Sequence, residues 1–135
     1  MATKDNFFQT SDGLWLYYEV TGEGRPIVLI PGFGEALTMW KYAVPVLSQR
    51  FQVVCLDPRG HGRSMKAAGN NRQKRMAQDI RELIDHLGLE DVLLVGHSLG
   101  GATVATKLFL RLFLTSVVSV TASTLLAAVG LYKIF

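Results

Sequence analysis

Residues 92–101 have the sequence VLLVGHSLGG, and this stretch decides the fold. It begins with four apolar residues, Val92–Val95, a pattern that predicts a strand buried on both faces of a sheet. Gly96, Ser98 and Gly100 follow, each separated from the next by one residue. This spacing predicts a sharp turn from strand to helix, with the Ser98 hydroxyl projecting from the turn.

A serine at such a turn is suited to nucleophilic chemistry. Glycines two residues to either side of Ser98 leave room for the strand and the helix to pack closely. The helix N-terminus then directs backbone N–H groups toward developing negative charge. The alternative interpretation is a glycine-rich helix start, in which Ser98 is an ordinary capping residue.

Further strands are predicted before this turn. Residues 7–10 and 14–20 alternate in polarity and flank Ser11-Asp12-Gly13, which predicts a hairpin. Ile27–Ile30 and Val53–Leu56 are continuous apolar segments and predict two more buried strands.

Two helices are predicted between the strands. Residues 36–47 have apolar positions near helical spacing, and Pro45 indicates a break or kink within them. A longer amphipathic helix is predicted from about residue 72 to residue 87, with Gly88 ending it. Buried strands that alternate with helices indicate a parallel sheet, here with an antiparallel hairpin at its start.

Three glycine-rich loops follow the buried strands, at residues 31–34, 57–62 and 96–101. In parallel sheets, ligands bind beyond the carboxyl ends of the strands. The loops are therefore expected to meet at one edge of the sheet and to form one site.

Four motifs together resemble the N-terminal half of the α/β-hydrolase fold family. They are PGFG at 31–34, DPRGHGRS at 57–64, DIRELIDHLGL at 79–89 and VGHSLGG at 95–101. The resemblance implies an α/β fold, a three-layer α/β-hydrolase-type sheet incomplete at its C-terminal side. We accordingly assign residues 1–111 to the N-terminal part of that domain, and residues 112–135 to an apolar tail that forms either the next strand and helix or a transmembrane anchor.

The resemblance also implies a site. Ser98 corresponds to the nucleophile, and the backbone N–H groups of Phe33 and Leu99 correspond to the oxyanion hole. The remaining motif residues correspond to structural positions: Gly32, Asp57, Arg59, Gly60, His61, Gly62, Gly96, His97 and Gly100. Epoxide hydrolases and dehalogenases of this fold use an aspartate at the elbow, so Ser98 argues against those activities. Pro31 stands where the family often has a histidine that supports the loop, which leaves the hole itself unaffected.

The implied activity is hydrolysis of a small-molecule carboxylic ester or a related acyl bond. No metal or organic cofactor is implied, because no cluster has metal-ligand spacing and the glycine-rich loops lack a P-loop lysine. A triad of Ser98 with His97 or His61 and Asp57 is not favoured, because the resemblance gives these residues structural roles. His86 is expected to be a surface residue of the long helix.

The proton-transfer groups of the family are missing from the later part of the sequence. Family members follow the order serine, acid, histidine, and residues 99–135 contain no Asp, Glu or His. We therefore interpret the chain as a truncated hydrolase that lacks the acid and the histidine. Two alternatives are a non-catalytic binding module with this fold and a membrane tail-anchored form.

The apolar tail allows two interpretations. Residues 112–132 are uncharged and lie between Arg111 and Lys133, as in a membrane-spanning helix of about 20 residues. Residues 115–121 are rich in β-branched and hydroxyl side chains, however, and they fall where the next parallel strand belongs. We favour a buried strand and helix. If later strands are absent, the strand at 92–95 lies near an open edge, which predicts self-association.

The charge distribution and the N-terminal sequence indicate which partners and which cellular location to expect. The net charge of +3 comes entirely from Lys107, Arg111 and Lys133, since residues 1–106 are balanced. The basic stretch at 59–75 lacks interleaved aromatic residues, so we expect a solvated loop and helix start and no nucleic-acid partner. No apolar segment of signal-peptide length follows the polar N-terminus, which favours a cytoplasmic protein, with membrane association as the alternative.

Overall fold

The chain forms a six-stranded mixed sheet flanked by helices in the part that the computed structural model describes, residues 6–66, 73–104 and 117–120. The strands are β1 (Phe7–Gln9), β2 (Trp15–Thr21), β3 (Arg25–Ile30), β4 (Phe51–Leu56), β5 (Leu93–His97) and β6 (Val117–Val120). Their spatial order is β1-β2-β4-β3-β5-β6. The predicted hairpin and the three predicted buried strands are confirmed.

The parallel part of the sheet is built from β4, β3, β5 and β6. Val28 of β3 is opposite Val54 on one side and opposite Leu94 of β5 on the other, while Val95 is opposite Val118. The strands β1 and β2 pair antiparallel, and β2 also pairs antiparallel with β4. The carboxyl ends of β3, β4 and β5 therefore lie at the same edge, as the positions of the three glycine-rich loops predicted.

A strand forms inside the apolar tail. β6 lies within residues 115–121 and extends the sheet beside β5, so the predicted strand is present. Within the described residues, no helix is both long and apolar enough to cross a membrane. The remainder of 112–132 lies outside those residues. The described edge of the sheet is β6 rather than β5, and self-association through this edge stays a prediction.

The predicted helix over 36–47 is wrong as a single element. The segment forms a 3₁₀ helix, Leu37–Trp40, and a separate short helix α1, Val44–Leu47. Pro45 lies in the first turn of α1, where its missing N–H has no intrahelical partner to lose. The break between the two helices therefore lies before Pro45, at residues 41–43.

The helix α2 spans Gln73–His86, and its apolar stripe covers one face of the sheet. It ends as predicted, because Gly88 adopts a left-handed φ of 62° and the next N–H, that of Leu89, donates to the Ile84 carbonyl at 3.1 Å. His86 is exposed, as predicted, and stacks on Phe8. A third helix, α3, spans Leu99–Val104.

Alternate residues of the strands build two cores, one on each face of the sheet. Val28 and Ile30 of β3 face α2, whereas Ile27 and Leu29 face the 3₁₀ helix and α1. Since side chains alternate between the faces of a strand, a strand covered on both faces is apolar along its whole length. The three-layer architecture predicted for the chain follows.

The single cysteine of the sequence, Cys55, lies in the second of these cores and is 3% exposed. Burial raises the pKa of its thiol to about 12, so the thiolate that reacts with disulfide reagents is scarce in the folded chain. We expect Cys55 to react with Ellman's reagent at least about a hundredfold more slowly in the native chain than in guanidinium chloride. Rapid modification under native conditions would contradict this placement.

Candidate active site

Ser98 lies at the turn between β5 and α3 and is exposed. Its backbone has a φ of 52°, and Asp91 is the other non-glycine residue with a positive φ in the described part of the chain. The left-handed conformation costs a residue with a Cβ about 1–2 kcal/mol, so the surrounding packing must hold it. The strand-to-helix turn predicted from the sequence is therefore present.

Two glycines allow the turn to pack against its surroundings. A Cβ on Gly96 would collide with the backbone of Gly100 and Gly101. A Cβ on Gly100 would collide with the Ile30 carbonyl oxygen and would lie 2.6 Å from that of Pro31. The turn at Ser98 therefore lies directly against the end of β3 and the loop that follows it.

The loop at residues 32–35 has one uncommitted backbone donor. The Gly32 N–H donates to Glu35 Oε2 at 2.9 Å, the Gly34 N–H to His61 Nε2 at 3.0 Å, and the Glu35 N–H to the Gly32 carbonyl at 3.2 Å. The Phe33 N–H donates to no other described residue. Phe33 as a residue is exposed, and its N–H is the one backbone donor of this loop that makes no hydrogen bond within the described part of the chain.

A second backbone donor belongs to Leu99. As the first residue of α3, Leu99 has no acceptor for its N–H within the helix. It directly follows Ser98, so it lies on the elbow that packs against the loop containing Phe33.

His61 braces the loop of Phe33. Its Nε2 accepts from the Gly34 N–H, so the ring proton is on Nδ1, which donates to the Arg59 carbonyl at 3.0 Å. The Phe33 ring packs edge-on against the imidazole, with 5.9 Å between centroids. Both nitrogens of His61 are engaged, so neither is available as a base.

Asp57 holds the loop after β4. Its buried carboxylate accepts from the backbone N–H groups of Leu37 at 2.7 Å and Arg63 at 2.8 Å. A Cβ on Gly62 would overlap that carboxylate, and Gly62 and Gly60 have φ values of 52° and 79° that favour glycine. Both oxygens of the Asp57 carboxylate thus accept hydrogen bonds from backbone N–H groups.

Arg59 is buried and pairs with two carboxylates. It is 1% exposed, with Nε and Nη2 bonded to Asp79 at 2.6 and 2.7 Å and Nη1 bonded to Asp12 at 3.0 Å. The hydrogen bonds from Arg59 lower the pKa of Asp12 to about 2. Burial raises the pKa of Asp79, and the bonds from Arg59 oppose that shift.

The expectation of a solvated basic stretch at 59–75 is therefore wrong for Arg59. It is also wrong for Arg75, which is largely buried and contacts Asp79 at 3.0 Å and Glu82 at 3.2 Å. The neutralising acids come from the β1–β2 turn and from α2, so the composition of the stretch alone does not reveal them.

Glu35 and His97 form a contact that was not predicted. His97 Nδ1 lies 2.9 Å from Glu35 Oε2, the oxygen that also accepts the Gly32 N–H. The hydrogen bond from His97 lowers the pKa of the Glu35 carboxyl below its ordinary value. Glu35 and His97 are far apart in the chain, so no local sequence pattern signals their contact.

The predicted site residues thus meet at one edge of the sheet. Ser98, Gly96, His97 and Gly100 form the elbow; Gly32 and Phe33 form the facing loop; and residues 57–62 brace that loop. In the described ranges, no group of three or more His, Cys, Asp and Glu side chains is placed to hold a metal ion.

A model of the alpha/beta hydrolase fold family matches residues 25–122. A soluble epoxide hydrolase from Corynebacterium sp. (strain C12) is 36% identical over 91 residues, which are 67% of this chain and 32% of that protein. A non-heme haloperoxidase from Rhodococcus erythropolis is 39% identical over 100 residues, 73% of this chain and 36% of that protein. The chain belongs to the alpha/beta hydrolase fold family.

Solved structures support the same assignment. The esterase EaEST from Exiguobacterium antarcticum superposes with a TM-score of 0.80 at 29% identity, over 96% of this chain and 50% of that chain. The chain spans about a third of the length of the curated relatives named above. The predicted fold is confirmed, and the relatives include an esterase, an epoxide hydrolase and a haloperoxidase.

Proposed function

We propose that this chain carries the nucleophile and the oxyanion hole of a serine hydrolase that acts on small-molecule carboxylic esters or related acyl bonds. The observation that carries the proposal is the exposed, left-handed Ser98 beside a loop whose only uncommitted N–H belongs to Phe33. The names of the relatives cover several reactions and do not select one. The serine at the elbow favours acyl transfer over the epoxide and dehalogenase chemistries of this fold.

The proposed roles follow from acyl-transfer chemistry. Ser98 Oγ attacks the substrate carbonyl, and its proton passes to a general base. The carbonyl oxygen becomes negatively charged, and the N–H groups of Phe33 and Leu99 donate to it. Donors fixed in place before the reaction stabilise that charge without reorganising, and removing one such donor typically slows a reaction by about 10²–10³.

We assign none of the histidines at this site as the base. His61 uses both nitrogens in bracing the loop, and His97 Nδ1 is engaged by Glu35. His86 is stacked on Phe8 at the end of α2, and residues 99–135 contain no histidine or acid. We therefore assign the nucleophile and the anion site to this chain and assign no base, so we expect only a residual rate of turnover from these 135 residues.

A fluorophosphonate probe tests this proposal, because it reacts with serines held beside an oxyanion hole. We expect covalent labelling of one serine, Ser98, found by peptide mass spectrometry and absent from Ser98→Ala. Labelling and ester turnover should be slow, since a triad without its base keeps only a residual acceleration of about 10³–10⁴ over water. Ser48→Ala, a change at the end of α1, is the matched control and should label as the unchanged chain does.

A chain in which Ser98 labels no faster than Ser48 would contradict the proposal. That result would favour the second candidate, a non-catalytic module that binds an acyl ligand. The lack of Asp, Glu and His in residues 99–135 favours this candidate. It retains the anion site at Phe33 and Leu99 but gives Ser98 no chemical step.

A further inference from the structure

We propose that Glu35 is a positioning residue that fixes the direction of the Phe33 N–H by locking the loop at 32–35 onto the elbow. This inference rests on the proposed function, because the Phe33 N–H matters only if it receives an anion. Glu35 would touch neither substrate nor reacting atoms. It would act through Gly32 and His97.

The contact joins two separate elements through one oxygen atom. Glu35 Oε2 accepts the Gly32 N–H of its own loop at 2.9 Å and the Nδ1 hydrogen of His97 at 2.9 Å. His97 is the last residue of β5 and directly precedes Ser98. The carboxylate therefore connects the loop of one proposed oxyanion donor to the residue before the proposed nucleophile.

The packing around this oxygen is close. A Cβ on Gly32 would lie 2.6 Å from Glu35 Oε2, 3.2 Å from His97 Nδ1 and 3.3 Å from the His97 carbonyl oxygen. A Cβ at position 32 would therefore displace the Glu35 carboxylate from its present place, so glycine lets the carboxylate and the imidazole lie directly against the loop. Gly32, Glu35 and His97 are therefore in mutual contact.

The backbone N–H of Glu35 orients the peptide that contains the Phe33 N–H, and the Glu35 side chain holds the peptide before it, Pro31–Gly32. A peptide unit is planar, so the Gly32 carbonyl and the Phe33 N–H point in opposite directions within one plane. The Gly32 carbonyl accepts from the Glu35 N–H at 3.2 Å, and the Gly32 N–H is held by the Glu35 side chain. Both sides of Gly32 are thus fixed by Glu35.

The other side of Phe33 is held independently. The Gly34 N–H, which belongs to the next peptide plane, donates to His61 Nε2 at 3.0 Å. Phe33 is therefore bracketed by Glu35 on one side and His61 on the other. Loss of the Glu35 side chain would free the Gly32 N–H and the elbow contact through His97, and it would leave the Glu35 N–H bond to the Gly32 carbonyl and the His61 contact in place.

The charge of Glu35 argues against a direct electrostatic role. A carboxylate near a developing oxyanion disfavours that anion, since like charges repel. If charge were the main effect of Glu35, removing it would speed the reaction at Ser98. If position is the main effect, removing the side chain slows the reaction, and an uncharged acceptor at the same place restores it.

The experiment compares Glu35→Ala and Glu35→Gln with the unchanged chain. Three quantities are measured: the rate of fluorophosphonate labelling at Ser98, the melting temperature, and the hydrogen exchange of the Gly32 amide by NMR. Glu23→Ala, at an exposed glutamate in the β2–β3 turn, is the matched control.

We expect Glu35→Ala to slow labelling by about tenfold to a hundredfold, less than the full loss of an oxyanion donor. Exchange at Gly32 should accelerate, and the melting temperature should stay within a few degrees of that of Glu23→Ala. Glu35→Gln retains an acceptor oxygen, so it should restore both the labelling rate and the Gly32 protection. This rescue separates positioning from a general loss of stability.

Two results would overturn the inference: faster labelling in Glu35→Ala, or labelling at the unchanged rate although the Gly32 protection is lost. If Ser98 of the unchanged chain does not label at all, the proposed function fails, but the exchange data still decide the positioning role. Loss of Gly32 protection in Glu35→Ala, restored in Glu35→Gln, would support that role. Unaltered protection in Glu35→Ala would reject it.

Discussion

Arg59→Ala should lower the free energy of unfolding by about 3–5 kcal/mol, because it leaves the buried Asp79 carboxylate without its bidentate partner. Asp79 keeps one partner, Arg75, at 3.0 Å from Oδ1, but Oδ2 loses the Arg59 Nε bond, and the burial of Asp79 keeps water from replacing that bond. A domain of this size has a free energy of unfolding of about 5–15 kcal/mol, so the substitution would remove a large part of it. The loss is measured as a fall in the midpoint of chemical unfolding, followed by circular dichroism.

Arg63→Ala is the matched control, since Arg63 lies in the same loop but its side chain is 68% exposed. It lies 4.0 Å from Glu19, donates to the Tyr17 hydroxyl at 2.6 Å and covers the Tyr17 ring, and we expect its loss to cost about 1–2 kcal/mol, less than that of Arg59. A similar loss of stability in both variants would show that any substitution in this loop lowers the free energy of unfolding. The burial of Arg59 would then not explain the effect.

Gly100→Ala should disable the elbow while leaving most of the sheet intact. The new methyl group would meet the carbonyl oxygens of Ile30 and Pro31, which are backbone atoms at the end of β3. Backbone atoms cannot rotate away as a side chain can, and overpacking of this kind typically costs about 1–3 kcal/mol. The elbow and the Phe33 loop would be forced apart, so labelling of Ser98 should fall by at least about tenfold, in line with the loss of an oxyanion donor.

Gly88→Ala separates this effect from a general loss of stability. Gly88 has a φ of 62°, and no neighbouring atom lies within 4 Å of the position that a Cβ would take. Alanine there adds backbone strain of about 1–2 kcal/mol without a collision. Gly88 lies just beyond the end of α2, away from the elbow. If the two variants melt alike and label alike, the contact of Gly100 with β3 has no role in the site.

The elements of the fold were predictable because their signals are local. The apolar segments 27–30, 53–56 and 92–95 lie within or overlap β3, β4 and β5, and the apolar stripe of 72–87 matches α2 where the structure describes it. Each of these patterns depends on residues within one element. The break in 36–47 was located less well, because Pro45 signals a boundary without fixing on which side it falls.

The braces of the candidate site were not predictable in the same way. Glu35 meets His97 across 62 residues of sequence, and Arg59 meets Asp12 across 47. Such contacts exist only once the sheet has brought its loops to one edge. A carboxylate in a turn and an arginine in a basic stretch are each common in sequences, so their partners become visible only in three dimensions.

The positive φ of Ser98 has a consequence for how this molecule balances folding against chemistry. Glycine would occupy that backbone conformation with less strain, so folding alone would select glycine at position 98. The hydroxymethyl group is thus carried at an energetic disadvantage to the native state. Under the proposed function, the small loss of thermodynamic stability at this exposed position accompanies a hydroxyl placed beside an unengaged amide.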